Sequence, residues 1–244
     1  MKICILGANG KSGRRLVMAA LASGHNVTAL VRDLEKLADL ANANLEVRAV
    51  SYTDEAQLVE AMADYDAVIN AAGYITDGRA YSDLVQRVIG AADKALGQGG
   101  RFWLFGGAAL LDVPGTSLAG LDLPGVPKVF EAHRANYQVV RATTLDWSML
   151  CPGPMIDSPD GKPTEGLVVS TDIWPVTRPA FTYVLPRPAL SLAFKGALPR
   201  LTIYYEDAAR VVIDNLERLG PLSRKRVGVA LPDDEKRVKP DVPR

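Results

Sequence analysis

The chain has 244 residues, with 28 basic and 28 acidic side chains that balance at pH 7. This balance excludes the strong field that attracts nucleic acid or an anionic membrane surface, and the length suffices to bury one α/β core. No apolar run approaches a membrane span, and a strand begins at the N-terminus without a signal peptide, so we expect a cytoplasmic protein.

Cysteine and histidine are scarce and scattered. Cys4 and Cys151 both lie in apolar, strand-like contexts, which favours buried, reduced thiols. The two histidines, His25 and His133, do not combine with them at the spacing of metal ligands. We therefore expect no metal site.

The first fourteen residues contain the most informative pattern. The apolar run Ile3 to Leu6 predicts a buried strand, and apolar residues recur at helical spacing from about Gly10. A glycine turn between a strand and a helix lets the backbone approach a pyrophosphate, which the helix N-terminus then faces. A purely structural turn is the alternative, but the context favours dinucleotide binding. The predicted phosphate-binding residues are Gly7, Asn9, Gly10, Lys11, Ser12 and Gly13.

A second predicted strand, Asn26 to Val31, ends in Arg32 and Asp33. In a dinucleotide-binding fold this strand end faces the adenosine ribose, where an acidic residue bonds NAD and an arginine accommodates the 2′-phosphate of NADP. Arg32 comes first, and Asp33 is well placed to cap the next helix, so we predict NADP(H). The alternative is NAD(H), with Asp33 on the ribose and a solvated Arg32.

Further strands alternate with helical segments, which predicts a parallel sheet with right-handed crossovers. We expect one doubly wound α/β domain over residues 1–231. The later predicted strands are 45–50, 67–73 including the strand exit, 101–105, 201–204 and 225–231. The predicted helices include a segment capped by Thr53 or Asp54, and the segments 81–96, 128–143 and 205–219.

The ends of these strands supply further candidate cofactor contacts. Ser51 and Tyr52 follow the third strand and are candidate contacts, with an ordinary loop as the alternative. Small residues leave room for a cofactor to lie over the strand ends. The small candidate residues are Ala71, Ala72, Gly73, Gly106 and Gly107.

The segment Leu145 to Pro154, LDWSMLCPGP, resembles the L-x-W-[ST]-x-x-R-P signature of the atypical short-chain dehydrogenases/reductases, with Cys151 replacing the arginine. The G-x-x-G-x-x-G spacing, the N-A-A-G stretch, GGAALLDVPG and LTIYYEDAA extend the resemblance over about residues 1–156 and 200–231. They point to a branch that includes biliverdin/flavin reductases and NmrA-like proteins. The resemblance implies a Rossmann fold that binds NAD(P)H, with Cys151 and Pro152 beside the cofactor. It also implies that Ser51 and Tyr52 are candidates to flank the adenine.

The catalytic residues typical of the superfamily are missing. After the fifth strand, where a catalytic Ser or Thr is usual, there is no hydroxyl until Thr116 and Ser117. The Tyr-x-x-x-Lys pair aligns with Val129 and His133, so the usual proton donor is absent.

Two side chains of the following helix remain as candidate catalytic residues. His133 matches a histidine that biliverdin/flavin reductases carry, although a satisfied or surface histidine is an equal alternative. Tyr137 and Arg141 mimic the Tyr–Lys spacing one helical turn later. We expect His133 and Tyr137 to orient the acceptor rather than to donate an obligatory proton.

Residues 156–200 differ in composition, with seven prolines beside Trp174, Phe181, Tyr183 and Phe194. Such a segment is typical of an embedded substrate lobe or lid, and a dimer contact or surface arm is the alternative. The tail, 232–244, is charged and proline-rich, and we expect it to be loosely ordered.

These features together favour an NADPH-dependent reductase that transfers hydride directly to a conjugated acceptor such as a flavin or quinone. Such an acceptor spreads the incoming charge and needs no strong acid from the protein. The alternative is a non-catalytic, NmrA-like redox sensor. We expect a monomer or homodimer with a small-molecule acceptor and no nucleic-acid or membrane partner.

Overall fold

A computed structural model describes residues 1–176 and 187–239. The strands are β1 (Lys2–Leu6), β2 (Asn26–Val31), β3 (Leu45–Ala49), β4 (Ala67–Asn70), β5 (Arg101–Phe105), β6 (Asp146–Cys151), β7 (Met155–Ile156), β8 (Val168–Thr171), β9 (Ile203–Tyr204) and β10 (Lys225–Ala230). The α-helices are α1 (Lys11–Ala22), α2 (Glu55–Met62), α3 (Arg79–Leu96), α4 (Glu131–Arg141), α5 (Arg187–Leu201) and α6 (Tyr205–Ile213).

The main sheet has eight strands in the order β3-β2-β1-β4-β5-β6-β10-β8. All neighbouring pairs are parallel except β10 and β8, which are antiparallel. The strand order reverses beside β1, where Ile3 is opposite both Val27 of β2 and Ala67 of β4. Ligands of open α/β sheets bind at the carboxyl edge next to such a reversal. The predicted doubly wound Rossmann fold is confirmed.

The helices cover both faces of this sheet, because successive strand residues point to opposite sides. Ile3 and Ile5 of β1 pack in the core beneath α1 and α6, whereas Cys4 and Leu6 pack in the core formed with α2, α3 and α4. Both cysteines are buried and unbridged. Burial raises the pKa of the Cys4 thiol and raises that of Cys151 to about 12, so both stay protonated.

Several element boundaries differ from the sequence predictions. Asp54 caps α2 by accepting a hydrogen bond from the Gln57 amide, which settles the choice between Thr53 and Asp54. The predicted helix 205–219 ends at Ile213, and Leu219 has a left-handed φ of 57° that a helix does not accommodate. The predicted strand 201–204 shortens to β9 because α5 continues through Pro199 to Leu201.

The proline-rich segment contributes to the main body of the fold. Its strand β8 extends the sheet beside β10, and Trp174 packs on Phe194 of α5 with ring centroids 4.8 Å apart. Phe181 and Tyr183 lie outside the described residues.

Part of the tail contacts the body of the fold. The Arg237 amide donates to the Pro199 carbonyl at 2.8 Å, and its guanidinium lies 3.3 Å from the buried Asp207 carboxylate. Residues 240–244 lie outside the described part. Among the helices that the structure describes, none is both long and apolar enough to cross a membrane.

Candidate cofactor-binding and active site

The glycine turn after β1 is shaped by close backbone contacts. Gly7 has a left-handed φ of +71°, and a Cβ there would lie 2.6 Å from the Cα of Ala72. A Cβ on Gly13 would lie 2.1 Å from the Gly7 carbonyl oxygen. At Gly10 the same oxygen is 3.3 Å away and nothing else is near. Gly7 and Gly13 are therefore required by packing, whereas Gly10 leaves its surface open.

The open side of this turn is the N-terminus of α1. Gly10 is its N-cap, no side chain caps it, and no acidic residue lies in its first turn. Uncapped N–H groups and the positive end of the helix dipole favour an anion at this position. The open glycine and the uncapped helix fit a cofactor pyrophosphate.

The remaining predicted phosphate contacts surround the same turn. Asn9 and Ser12 are half-buried, and Lys11 is exposed in the first turn of α1. The Lys11 ammonium lies 2.8 Å from the Asp157 carboxylate, which Arg15 also contacts at 3.0 Å. The Lys11 cation at the start of α1 is therefore paired within the protein.

Tyr52 connects the phosphate turn to the neighbouring strands. The Gly7 amide donates to its hydroxyl oxygen at 2.8 Å, and the hydroxyl donates to the Leu30 carbonyl at 3.0 Å. Burial raises the pKa of this phenol, so the donor remains protonated. The hydroxyl of Tyr52 is thus engaged by backbone groups, and only its ring is available to a base.

A cavity of about 730 Å³ opens at the carboxyl ends of β2 and β3. Its lining includes Arg32, Ser51, Tyr52 and Arg87. Arg32 is exposed and forms no ion pair with a described residue, whereas Arg87 donates to the Tyr52 carbonyl at 3.1 Å. The strand order places the adenosine half of a dinucleotide in this region.

The predicted small residues line the next strand ends. The Ala71 amide donates to the Leu6 carbonyl at 3.0 Å, and Ala72 packs against Gly7. These contacts hold the exit of β4 against the glycine turn. Gly73 has a φ of +108°, and a Cβ there would lie 2.7 Å from the Tyr81 ring. The absence of a side chain at Gly73 lets the Tyr81 ring approach the sheet edge.

The turn after β5 packs against the end of β6. A Cβ on Gly106 would lie 3.1 Å from the Cys151 sulfur, and the Ala108 amide donates to the Pro152 carbonyl at 2.8 Å. A Cβ on Gly107 would lie 3.0 Å from both Cδ2 and Nε2 of His133. The two glycines therefore bring this turn close to Cys151 and to the His133 ring.

His133 is buried at the carboxyl edge of the sheet. Its Nδ1 lies 3.3 Å from the Tyr81 hydroxyl, and the Phe130 ring stacks on it at 6.2 Å. Burial lowers the pKa of His133 to about 4 and raises that of Tyr81 to about 12. Both groups are neutral near pH 7, so they act as hydrogen-bonding groups rather than as charges.

Tyr137 lies in different surroundings. Its ring contacts Trp147 edge to face, with centroids 5.8 Å apart, and the guanidiniums of Arg141 and Arg226 lie 5.6 and 5.1 Å from it. Trp147 pairs with Phe102 near the starts of β6 and β5, toward the amino edge of the sheet. Although the two residues are one helical turn apart, the Tyr137 ring packs on Trp147 and the His133 ring packs on Tyr81 and Phe130.

Sequence reasoning missed three residues of this region: Tyr81, Arg87 and Asn136. Tyr81 lies in the first turn of α3, shortly after the N-A-A-G stretch, and is a polar aromatic residue next to small residues at the sheet edge. Arg87 lies on the next turns of the same helix and lines the adenosine-side cavity. Asn136 is fully buried beside them on α4, and a lone asparagine in a helical pattern gives no signal of that burial.

Comparisons with known proteins agree with this geometry. A family described as NAD(P)H-binding matches residues 7–172. The protein YwnB of Bacillus subtilis is 29% identical over 178 residues, which cover 67% of this chain and 76% of YwnB.

Solved structures share the whole fold. A proposed epimerase from Bacteroides thetaiotaomicron is 25% identical with a TM-score of 0.72, covering 94% of this chain and 96% of its own. A proposed NADH-flavin reductase from Streptococcus pneumoniae is 24% identical with a TM-score of 0.66, covering 95% and 100%. The resemblance to atypical short-chain dehydrogenases/reductases is confirmed. The family match covers well over half of the chain, and the chain belongs to the NAD(P)H-binding family.

Proposed function

We propose that the protein is an NADPH-dependent reductase that passes hydride directly to a flat, conjugated acceptor such as a flavin or quinone. The observation that carries this proposal is the neutral, buried His133 at the carboxyl edge of the sheet, where a Tyr–Lys acid is absent. An acceptor that spreads charge over a ring system needs only a hydrogen bond here. A simple ketone needs a stronger acid.

The site residues support this chemistry by positioning the acceptor rather than by supplying a strong acid. When bound, a reduced nicotinamide supplies the hydride, and the reduced acceptor takes its proton from water. The turn Gly106–Gly107 keeps side chains away from the acceptor side, and His133 offers a neutral hydrogen-bonding nitrogen beside Gly107. His133 is buried against the Tyr81 and Phe130 rings, which limits water around it and favours hydride transfer over side reactions.

Arg32 supports the choice of NADPH over NADH. Its exposed guanidinium lines the adenosine-side cavity without an ion pair to a described residue, so it is available to a 2′-phosphate. A guanidinium and a phosphate form strong, charge-assisted hydrogen bonds. The solved structure of a short-chain dehydrogenase/reductase from Veillonella parvula is a complex with NADP, and its likeness to this chain, at 16% identity and a TM-score of 0.65, concerns the fold.

The alternative function is a non-catalytic NAD(P)H sensor, which the missing Tyr–Lys pair favours. An assay that follows the absorbance of NADPH or NADH in the presence of flavins, quinones or ketones distinguishes the reductase from the sensor. The reductase proposal expects turnover with a flavin or quinone and little with ketones. Tight NADPH binding by calorimetry without turnover of any acceptor would favour the sensor instead.

A further inference from the structure

A line of polar side chains runs from His133 into the contact between α3 and α4. The Tyr81 hydroxyl lies 3.3 Å from His133 Nδ1, and Asn136 Oδ1 accepts a hydrogen bond from Gln86 Nε2 at 3.4 Å. Tyr81, His133 and Asn136 are all buried, and Gln86 at the far end is partly exposed. Polar groups buried together persist when their donors and acceptors are matched in direction.

The donor-to-acceptor order of these polar groups can be followed from Gln86. Its amide N–H donates to Asn136 Oδ1, so the Nδ2 group of Asn136 faces away from Gln86. Nδ2 is fully buried and has no hydrogen bond of ordinary length to a described residue. The Asn136 side chain nevertheless lowers the pKa of the Tyr81 phenol, as a nearby donor to the phenol oxygen does. Because Oδ1 is turned to Gln86, the Nδ2 group is the part of Asn136 that is available to the Tyr81 oxygen.

A phenol whose oxygen faces a donor directs its own proton elsewhere. The other polar neighbour of the Tyr81 oxygen is His133 Nδ1. A neutral imidazole has one N–H and one acceptor nitrogen, and the hydrogen bond at one nitrogen fixes the state of the other. If Tyr81 donates to Nδ1, the imidazole proton resides on Nε2, the atom close to Gly107.

We propose that Tyr81 and Asn136 are positioning residues that hold neutral His133 in the tautomer with its proton on Nε2. The His133 N–H then points to the Gly107 side of the site as a fixed donor. In the opposite tautomer, Nδ1–H and the Asn136 amide would both donate toward the Tyr81 oxygen, and the phenol proton would lose its acceptor. The role of this donor in orienting an acceptor rests on the proposed reductase function, whereas the tautomer itself does not.

The tautomer can be measured directly by nitrogen-15 NMR of the folded protein, without cofactor or acceptor. The chain has two histidines, so a His25→Gln variant assigns both imidazole signals. The couplings of the ring protons to the two nitrogens identify the protonated one. We expect His133 to be a single Nε2–H tautomer at pH 7. A protonated Nδ1 in the wild type would overturn the proposal.

Two variants test the line itself. Asn136→Leu keeps the side-chain size but removes the donor to Tyr81, and Tyr81→Phe removes the donor to His133. We expect both to give a mixture of His133 tautomers. Tyr65→Phe is the control, because this tyrosine contacts Lys2 at the opposite edge of the sheet and is expected to leave the His133 signal unchanged. An unchanged Nε2–H tautomer in a folded Asn136→Leu protein would reject the role of Asn136.

Turnover adds a second readout for an acceptor that the wild type reduces. Asn136→Leu should lower kcat about fivefold, the scale of one hydrogen bond, and leave the Kd of NADPH unchanged. A fixed tautomer with no turnover of any acceptor supports the positioning role and rejects the reductase function. A fall in NADPH affinity equal to the fall in kcat would instead assign Asn136 a general structural role, against the proposal.

Discussion

The Tyr52 hydroxyl accepts a 2.8 Å hydrogen bond from the Gly7 amide and links the end of the third strand to the phosphate turn. The same hydroxyl donates to the Leu30 carbonyl at the end of the second strand. One side chain therefore holds three neighbouring strand ends together at the edge where a dinucleotide binds. The strength of this link can be tested by removing a single oxygen.

Tyr52→Phe should lower the free energy of unfolding by about 1–2 kcal/mol, because the Leu30 carbonyl loses one of its two donors and the Gly7 amide loses one of its two acceptors. It should also weaken NADPH binding severalfold, since the turn is less rigid. Urea unfolding and calorimetry measure the two effects. Tyr65→Phe provides the control for loss of a phenol elsewhere. A Tyr52→Phe protein as stable as the wild type would show that the Gly7 bond to Leu30, at 3.2 Å, is sufficient.

Gly10 and Gly13 should respond differently to the same substitution. Gly10→Val leaves the fold stable, because only one atom lies near the new Cβ, but its side chain occupies the open anion site and should abolish NADPH binding. Gly13→Val drives a Cβ into the Gly7 carbonyl at 2.1 Å and should destabilise the protein by several kcal/mol. Thermal unfolding with calorimetry distinguishes them. A stable Gly13→Val protein that binds NADPH normally would contradict the assigned packing.

The parts of the fold that sequence predicted are those determined by local patterns. The bounds of β2 and β5 were predicted correctly from the alternation of strands, turns and helices. Buried parallel strands are short apolar runs, and turn residues mark where they end. Helix α5 was not predicted, since Pro188, Gly196 and Pro199 interrupt its sequence and helical apolar periodicity is weak. Tertiary packing outweighs local preference at such a segment.

The candidate site was predictable only where its residues lie on one motif. The glycine turn shares one short stretch, so its spacing is visible in the sequence. The contact of Tyr81 with His133 joins residues 52 positions apart on two helices, and no local pattern encodes that pairing. Helical spacing puts Tyr137 one turn from His133, but it does not encode the contact of the Tyr137 ring with Trp147.

Arg32→Ala should weaken NADPH binding by about 1.5–3 kcal/mol and NADH binding little, because only NADPH carries the 2′-phosphate. Calorimetry with both cofactors measures the difference. The control is Arg48→Ala, which removes an exposed arginine from the adjacent strand where it pairs with Glu46. Equal losses for the two cofactors would reject selectivity for NADP.

His133 should make the protein less stable in mild acid. Burial lowers its pKa from 6.5 in the unfolded chain to about 4 in the folded protein. Between these pH values the unfolded chain binds a proton at His133 and the folded protein does not. The stabilising contribution is complete above pH 6.5 and is lost as the pH falls toward 4, by about 3 kcal/mol. The difference in unfolding free energy between wild type and His133→Gln should follow this pH dependence. The carboxylates contribute equally to both proteins and cancel in the difference. A difference that is constant with pH would show that His133 titrates normally.

Asp157→Asn should strengthen NADPH binding about threefold at low salt. The Asp157 carboxylate pairs with Lys11 at 2.8 Å and Arg15 at 3.0 Å beside the phosphate turn, so it competes with the cofactor pyrophosphate for both cations. The pair is partly exposed, which keeps the effect small and makes it shrink as salt rises. Glu165→Gln is the matched control, since Glu165 pairs with Arg210 elsewhere on the lobe. Weaker binding by Asp157→Asn, with the control unchanged, would mean that Asp157 instead orients Lys11 toward the phosphates.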